Sequence, residues 1–150
     1  MTEKALMLRS SILPAMGLGC AITVAAIAPA QARSVHISGQ FATEHGATTT
    51  PSGGVMAWLN PKTNLVTYTI KWTGLSGKVT AIHFHGPAAP GQEADVLAPV
   101  EGPYVSPLRG SVLLSSEQAH ALMTGQVYVN LHTDAYPNGE ARAQLSAQSR

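Results

Sequence analysis

Two histidines separated by a single residue are the strongest chemical signal in this sequence. His83 and His85 lie in residues 82–87, where apolar neighbours and a closing Gly-Pro pair are typical of a strand that runs into a turn. Because side chains alternate along a strand, both imidazoles are expected to leave the same face. Two neutral imidazoles on one rigid element supply half of a transition-metal site.

Two further histidines are predicted to complete the ligand set. His132 lies in residues 130–134, which have similar strand character, and His45 lies in a loop after the first predicted strand. His45 is expected to join as an additional ligand if that loop covers the same end of the sheet. Imidazole ligands suit copper, zinc and nickel; copper is predicted first because Cu(II) has the higher intrinsic affinity, and zinc second. No nucleophile motif, phosphate loop or paired carboxylates accompany the histidines, which favours binding over catalysis.

A purely structural interpretation of the histidines stays open. They could hydrogen-bond neighbouring strands, loop carbonyls or Glu140 and so fix one end of the sheet. In that case Glu140 and Arg142, two residues apart on the last strand, would form an ion pair. In the metal hypothesis Glu140 would instead orient an imidazole from outside the ligand set. His120 lies on a predicted helix and is expected to be solvated.

The N-terminal residues predict export. Lys4 and Arg9 precede an apolar run over residues 12–28, and Ala30-Gln31-Ala32 follows as a small-residue cleavage site. Residues 1–32 therefore read as a secretory signal peptide, and the mature protein is expected to be periplasmic or secreted, with no membrane span. The single cysteine falls inside this segment, so the mature chain has no disulfide and depends on core packing or a bound ligand for stability.

Composition predicts one all-β domain over residues 33–150. Charged residues make up only 11% of the chain and the formal net charge is +1, which gives little attraction for nucleic acid. The 14 glycines and 10 prolines fit short strands joined by turns. We expect an antiparallel, Greek-key-like sandwich or open barrel of about seven strands with one short helix. The predicted strands are 35–41, 55–59, 65–73, 78–85, 110–114, 126–133 and 140–146; the helix begins at the Ser115 cap and ends at Gly125; residues 44–54 and 86–107 are loops.

Several motifs occur in order along the mature chain and resemble those of the CHRD (chordin-type) domain, a family of secreted β domains. They are residues 53–61 (GGVMAWLNP), 65–68 (LVTY), 74–77 (GLSG), 83–88 (HFHGPA), 128–133 (YVNLHT) and 136–142 (YPNGEAR). The resemblance implies a β-sheet fold and an extracellular or periplasmic location, without a settled biochemical activity. One departure concerns residues 44–47, which read Glu-His-Gly-Ala where family members tend to carry Glu-Val-Pro-Pro.

Two other functions stay open beside metal binding. One is an adhesion or partner-binding module, in which loop 86–107 and a sheet edge contact another extracellular or periplasmic protein through Tyr104 and Tyr136. The other is a redox enzyme, since the histidine pair on a strand is similar to the copper-ligand strand of copper/zinc superoxide dismutases. The bridging-histidine and zinc-aspartate loop of those enzymes is not recognisable here, so this likeness is an analogy.

Overall fold

Nine strands and one helix build the part of the chain that the computed structural model describes, residues 33–148. The predicted signal peptide and its cleavage site lie outside the described residues. The elements are β1 (Val35–Gln40), β2 (Ala42–Thr43), β3 (Ser52–Leu59), β4 (Leu65–Thr73), β5 (Val79–His85), β6 (Val96–Pro99), β7 (Leu108–Leu113), α1 (Ser116–Met123), β8 (Val127–Thr133) and β9 (Ala141–Ala147). The predicted all-β class with one short helix is confirmed.

The strands form one antiparallel sheet path. Its order is β6-β5-β8-β9-β1-β3-β4-β7, with β2 paired to β9, so β6 and β7 form its two ends. β9 joins the two halves of the path, because it pairs with β8 on one side and with β1 on the other. This arrangement agrees with the predicted sandwich or open barrel. It also brings β5 beside β8, two strands that are far apart in the sequence.

The β3–β4 hairpin and the helix form where local sequence signals place them. In the hairpin turn the Asn60 amide donates to the Leu65 carbonyl at 2.9 Å. At the helix start the Ser115 hydroxyl accepts from the Gln118 amide while the Gln118 side chain accepts from the Ser115 amide, a capping box. The helix ends before Gly125, and no helix of the described chain has the length and apolar character of a membrane span.

Two strands occupy segments that the sequence predicts as loops: β3 in part and β6 as a whole. β3 begins at Ser52 instead of residue 55, because Gly53 and Gly54 pair with β4. A Cβ atom on Gly54 would lie 2.1 Å from the Gly39 carbonyl oxygen, so the glycines permit a close strand approach and do not end the strand. β6 lies inside the predicted loop 86–107, and it ends at Pro99. A proline is tolerated there because β6 is an edge strand with only one neighbour.

Alternating side chains divide each central strand between the core and an outer face. The core includes the fully buried side chains of Ile37, Leu59, Ile70, Ile82, Leu122, Leu131 and Leu145. β8 differs from the other strands because its outer face is covered as well: Tyr128 and Asn130 are each only 3% exposed. Loops from other parts of the chain lie over this face, and they enclose a polar region outside the core.

A buried carboxylate ties several loops together beside this region. Glu140 has no exposed surface, and its oxygens accept hydrogen bonds from the Thr133 hydroxyl at 2.6 Å and the Thr49 hydroxyl at 2.9 Å. They also accept from the Ser76 amide at 2.7 Å and the Ser76 hydroxyl at 2.9 Å. Burial by itself would raise the pKa of Glu140, but the hydrogen bonds from Thr133, Ser76 and Thr49 outweigh it and hold the pKa below its usual value.

We predict that Glu140→Gln lowers the free energy of unfolding by about 2–3 kcal/mol near neutral pH, because it replaces an acceptor of charge-assisted hydrogen bonds. The folded pKa of Glu140 lies below the unfolded value of about 4.5. The carboxylate therefore contributes stability that is fully present above about 4.5 and is lost as the pH falls through the folded pKa. The difference between wild type and variant should shrink accordingly, measured by urea unfolding across a pH series.

The matched control is Glu101→Gln, which changes an exposed carboxylate. Its free energy of unfolding should stay within about 0.5 kcal/mol of wild type at each pH. A Glu140→Gln deficit that does not change with pH would show that the ionised form is not the source of the stability.

Candidate metal centre

The histidine pair lies on the outer face of β5. Along this strand Ile82 and Phe84 enter the core, with 0% and 2% of their surfaces exposed. His83 and His85 alternate with them and are half-buried on the opposite face. The predicted common face of the two imidazoles is confirmed, and it follows directly from the two-residue period of the strand.

Pairing of β5 with β8 brings the third histidine to the same face. His83 lies opposite Asn130, and His132 lies opposite Ala81, so His132 is the diagonal neighbour of His83 across the strand pair. The register shifts between Val79 and Ala81, at the end of β5 nearest His132. Side chains at diagonal positions of adjacent strands are within reach of one another when they are ring-sized.

The three imidazoles form a compact group. The ring centroid of His83 lies 4.9 Å from that of His132 and 5.7 Å from that of His85, and the centroids of His85 and His132 are 6.4 Å apart. One ring nitrogen from each histidine can be chosen so that all three lie within 4.8 Å of one another. Three of the four predicted ligands therefore come together in the structure.

Backbone carbonyls fix the tautomers of two of the rings. His85 donates from Nδ1 to the Ala94 carbonyl at 2.9 Å, and His132 donates from Nδ1 to the Pro137 carbonyl at 2.8 Å. A carbonyl only accepts hydrogen bonds, so both Nδ1 atoms carry the proton of the neutral ring and both Nε2 atoms keep a lone pair. Metal-binding histidines characteristically have such a partner on the non-binding nitrogen.

The third ring is held between the other two. His83 Nδ1 lies 3.2 Å from His132 Nε2. Because the Nε2 atom of neutral His132 has a lone pair, His83 is the donor in this contact. Burial lowers the pKa of His83 first, and the neighbouring His132 and His85 lower it further. His83 therefore remains neutral to a lower pH than an ordinary histidine, which is the form that a metal requires.

One nitrogen of the group is left without a partner. Among the described residues nothing hydrogen-bonds the buried Nε2 atom of His85. A buried polar atom without a partner costs about 1–3 kcal/mol, and a lone pair of this kind is satisfied by a proton donor or by a metal ion. The donor set thus fits a transition-metal ion: the Nε2 atoms of His85 and His132 carry lone pairs, and His83 would offer Nδ1 once its proton moves from Nδ1 to Nε2 of the same ring, which also frees the His132 lone pair.

A cleft of about 450 Å³ opens beside the histidines. His85 and His132 form part of its wall. The other lining residues are His45, Glu93, Ala94, Tyr128, Asn130, Pro137 and Asn138. Asn130 donates from its amide nitrogen to the Glu44 carboxylate, while its buried Oδ1 atom has no hydrogen-bond partner in the described chain. The cleft reaches the rings of His85 and His132 from outside the sheet, whereas His83 does not line it.

His45 lies at this cleft, so its loop does cover the predicted end of the sheet, but it is not part of the group of three. Its Nε2 atom is 3.0 Å from a Glu93 carboxylate oxygen, and its Nδ1 atom donates to the Gly139 carbonyl at 3.2 Å. The hydrogen bond to Glu93 raises the pKa of His45, with smaller support from Glu44 and Gly139 against the effect of burial. His45 would have to lose its proton and leave Glu93 to bind a metal, and its role as a ligand stays a prediction.

Glu140 and Arg142 have other partners than either interpretation of the sequence expects. Glu140 lies just before β9 begins, so strand alternation does not place it beside Arg142, and its partners are hydroxyl and amide groups instead of an imidazole. Arg142 forms its ion pair with Glu44, at 3.4 Å. The groups that orient the imidazoles are the carbonyls of Ala94 and Pro137, for which the sequence has no side-chain signal.

Comparison with known protein families identifies the family of this chain. The CHRD domain family matches residues 33–145, which covers nearly all of the described chain. No match was found among curated proteins or among solved structures. The family match extends over well more than half of the sequence and contains the strands of all three clustered histidines, so this chain belongs to the CHRD domain family.

Proposed function

We propose that this chain is an exported CHRD-domain protein that binds one transition-metal ion through His83, His85 and His132. The observation that carries the proposal is the buried, partnerless Nε2 atom of His85, in a group whose three nitrogens lie within 4.8 Å of one another. A metal ion would use that lone pair together with those of the other two imidazoles. Rigid strands hold the ligands, so little conformational entropy is lost on binding.

Copper is the first choice of metal and zinc the second. The ligands are all imidazoles, and a divalent site of this kind binds Cu(II) more tightly than Zn(II) by intrinsic affinity. Cleavage after Ala32 would remove the only cysteine, so no thiolate competes for the ion in the mature chain. Which ion the protein carries in its compartment also depends on metal availability there.

Binding without catalysis is the activity that the site supports best. Three protein ligands would leave a coordination position for solvent or a small ligand, and the adjacent cleft would provide the room. A superoxide dismutase-like redox activity would use the same position and becomes worth assaying once a copper form is in hand. Partner binding has less support, because Tyr104 packs against the core and donates to the Val100 carbonyl at 3.2 Å.

We predict that the mature chain, residues 33–150 without a histidine tag, binds one Cu(II) per molecule in a calorimetric titration, and Zn(II) more weakly. The double variant His83→Ala/His85→Ala should lose more than about 100-fold in affinity, since even groups outside a ligand set are worth about 10–100-fold. His120→Ala is the matched control, because it removes an exposed histidine on α1 and should leave binding unchanged.

A further variant, His45→Ala, decides the ligand set. A loss as large as that of His132→Ala would add His45 to the ligands, whereas unchanged binding would leave it as the ion-pair partner of Glu93. Weak metal uptake that is the same in wild type and in His83→Ala/His85→Ala would contradict the proposed function.

Export is proposed on the N-terminal sequence, and it has its own test. Expression of the full chain in a bacterial host with periplasmic fractionation should give a protein whose mass corresponds to a first residue of Arg33. Recovery of the uncleaved chain from the cytoplasm would contradict both the export proposal and the cleavage site.

A further inference from the structure

The ring of Tyr128 stacks on the His85 imidazole. The two rings are stacked, with centroids 4.9 Å apart and planes within 6° of parallel. They are direct cross-strand neighbours of β5 and β8, so the sheet register itself places them next to each other on the outer face. Stacking of this kind fixes the plane of the imidazole, although by itself it does not decide which ring nitrogen carries the proton.

The hydroxyl group of the same tyrosine hydrogen-bonds the backbone of Ala94, the residue whose carbonyl oxygen sets the His85 tautomer. The Ala94 amide donates to Tyr128 Oη at 3.2 Å, and Tyr128 Oη lies 3.5 Å from the Ala94 carbonyl oxygen, to which it can donate. That carbonyl oxygen accepts the Nδ1 proton of His85 at 2.9 Å. One side chain therefore contacts both the imidazole and the acceptor that sets its tautomer.

Tyr128 is itself held from a second strand. The guanidinium carbon of Arg142, on β9, lies 3.5 Å from the centre of the tyrosine ring. Arg142 also donates to the Gln92 carbonyl at 2.7 Å, in the loop that carries Ala94. Only 3% of the Tyr128 surface is exposed, so the ring has no room to turn away from His85. The loop, the ring and the imidazole thus form one packed unit.

We infer that Tyr128 is a positioning residue for His85: it holds the ring plane by stacking and holds the Ala94 carbonyl through its hydroxyl group, so that Nδ1 carries the proton and Nε2 is free. The consequence for metal affinity rests on the proposed function, whereas the consequence for the tautomer concerns the metal-free protein. Groups of this kind outside a ligand set are worth about 10–100-fold in metal affinity.

The first test uses the metal-free mature chain with ¹⁵N-labelled histidine. Two-bond nitrogen–proton correlation spectra distinguish the two neutral tautomers of each ring. Wild type should show His85 protonated on Nδ1. Tyr128→Phe keeps the stacked ring but removes both hydrogen bonds to Ala94, so a second tautomer of His85 should appear.

The matched control is Tyr104→Phe, which also removes a hydroxyl group bonded to a backbone carbonyl, that of Val100, from a ring that packs against the core. It should leave the His85 tautomer unchanged. Tyr128→Leu removes the stacked ring as well and should broaden or shift the His85 signals further. If that variant does not fold, Tyr128→Phe still decides the question.

The second test is the Cu(II) titration of the same proteins. Tyr128→Phe should weaken binding by about 10-fold, and Tyr104→Phe should not. A single unchanged His85 tautomer and unchanged affinity in Tyr128→Phe would overturn the inference while leaving the proposed function in place. If Tyr128→Phe changes the His85 tautomer but the wild-type protein binds no metal, the positioning role is supported and the proposed function is overturned.

Discussion

The antiparallel pairing of β5 with β8 is the interaction on which the histidine group depends. Its register is held by apolar side chains, because Ile82 and Phe84 from one strand and Leu131 from the other are buried on the core side. A slip of one residue would turn every side chain of a strand to the opposite face, placing His132 in the core and Leu131 outside. The apolar pattern of the sheet thus specifies the positions of polar groups that it does not contact.

Loops cover the outer face of this strand pair. Arg142 reaches the Gln92 carbonyl at 2.7 Å, and Gln144 reaches the Ala88 carbonyl at 3.0 Å, so β9 anchors the segment between β5 and β6 at two points. Fixing this segment brings the Ala94 carbonyl to His85. The hairpin before β9 brings the Pro137 carbonyl to His132, and the buried Glu140 carboxylate holds that hairpin against β8 through Thr133. Ring orientation at the site therefore depends on loop packing outside it.

Local signals in the sequence predict most of the fold and the choice of histidines. The His83-x-His85 spacing, the turn at residues 60–64 and the Ser115 cap each depend on a few neighbouring residues, and each is confirmed. β6 was not predicted because it contains Pro99, and a proline usually indicates a loop, although an edge strand tolerates it. The start of β3 was not predicted because glycines usually indicate a turn, whereas here they allow two strands to approach closely.

The partners of the site could not be predicted in the same way. Every residue offers a backbone carbonyl, so nothing in the sequence distinguishes Ala94 or Pro137 as an acceptor. Arg142 pairs with Glu44, which is 98 residues away along the chain, instead of with Glu140 nearby. These pairings depend on the packed three-dimensional structure. The contacts with the Ala94 and Pro137 carbonyls determine which nitrogen of His85 and of His132 keeps its lone pair.

The hydrogen bonds of the site bear on the choice between a structural histidine cluster and a metal centre. In a purely structural cluster each polar atom would be expected to find a partner, since a buried orphan costs about 1–3 kcal/mol. Here the Nδ1 atoms of His85 and His132 are fully used by carbonyls, whereas the His85 Nε2 atom is left unpaired beside the other two rings. That pattern fixes the orientation of the rings and leaves without a partner a nitrogen that the proposed metal ion would use. A bound cation would recover that cost, and this is the physical ground of the proposed metal site.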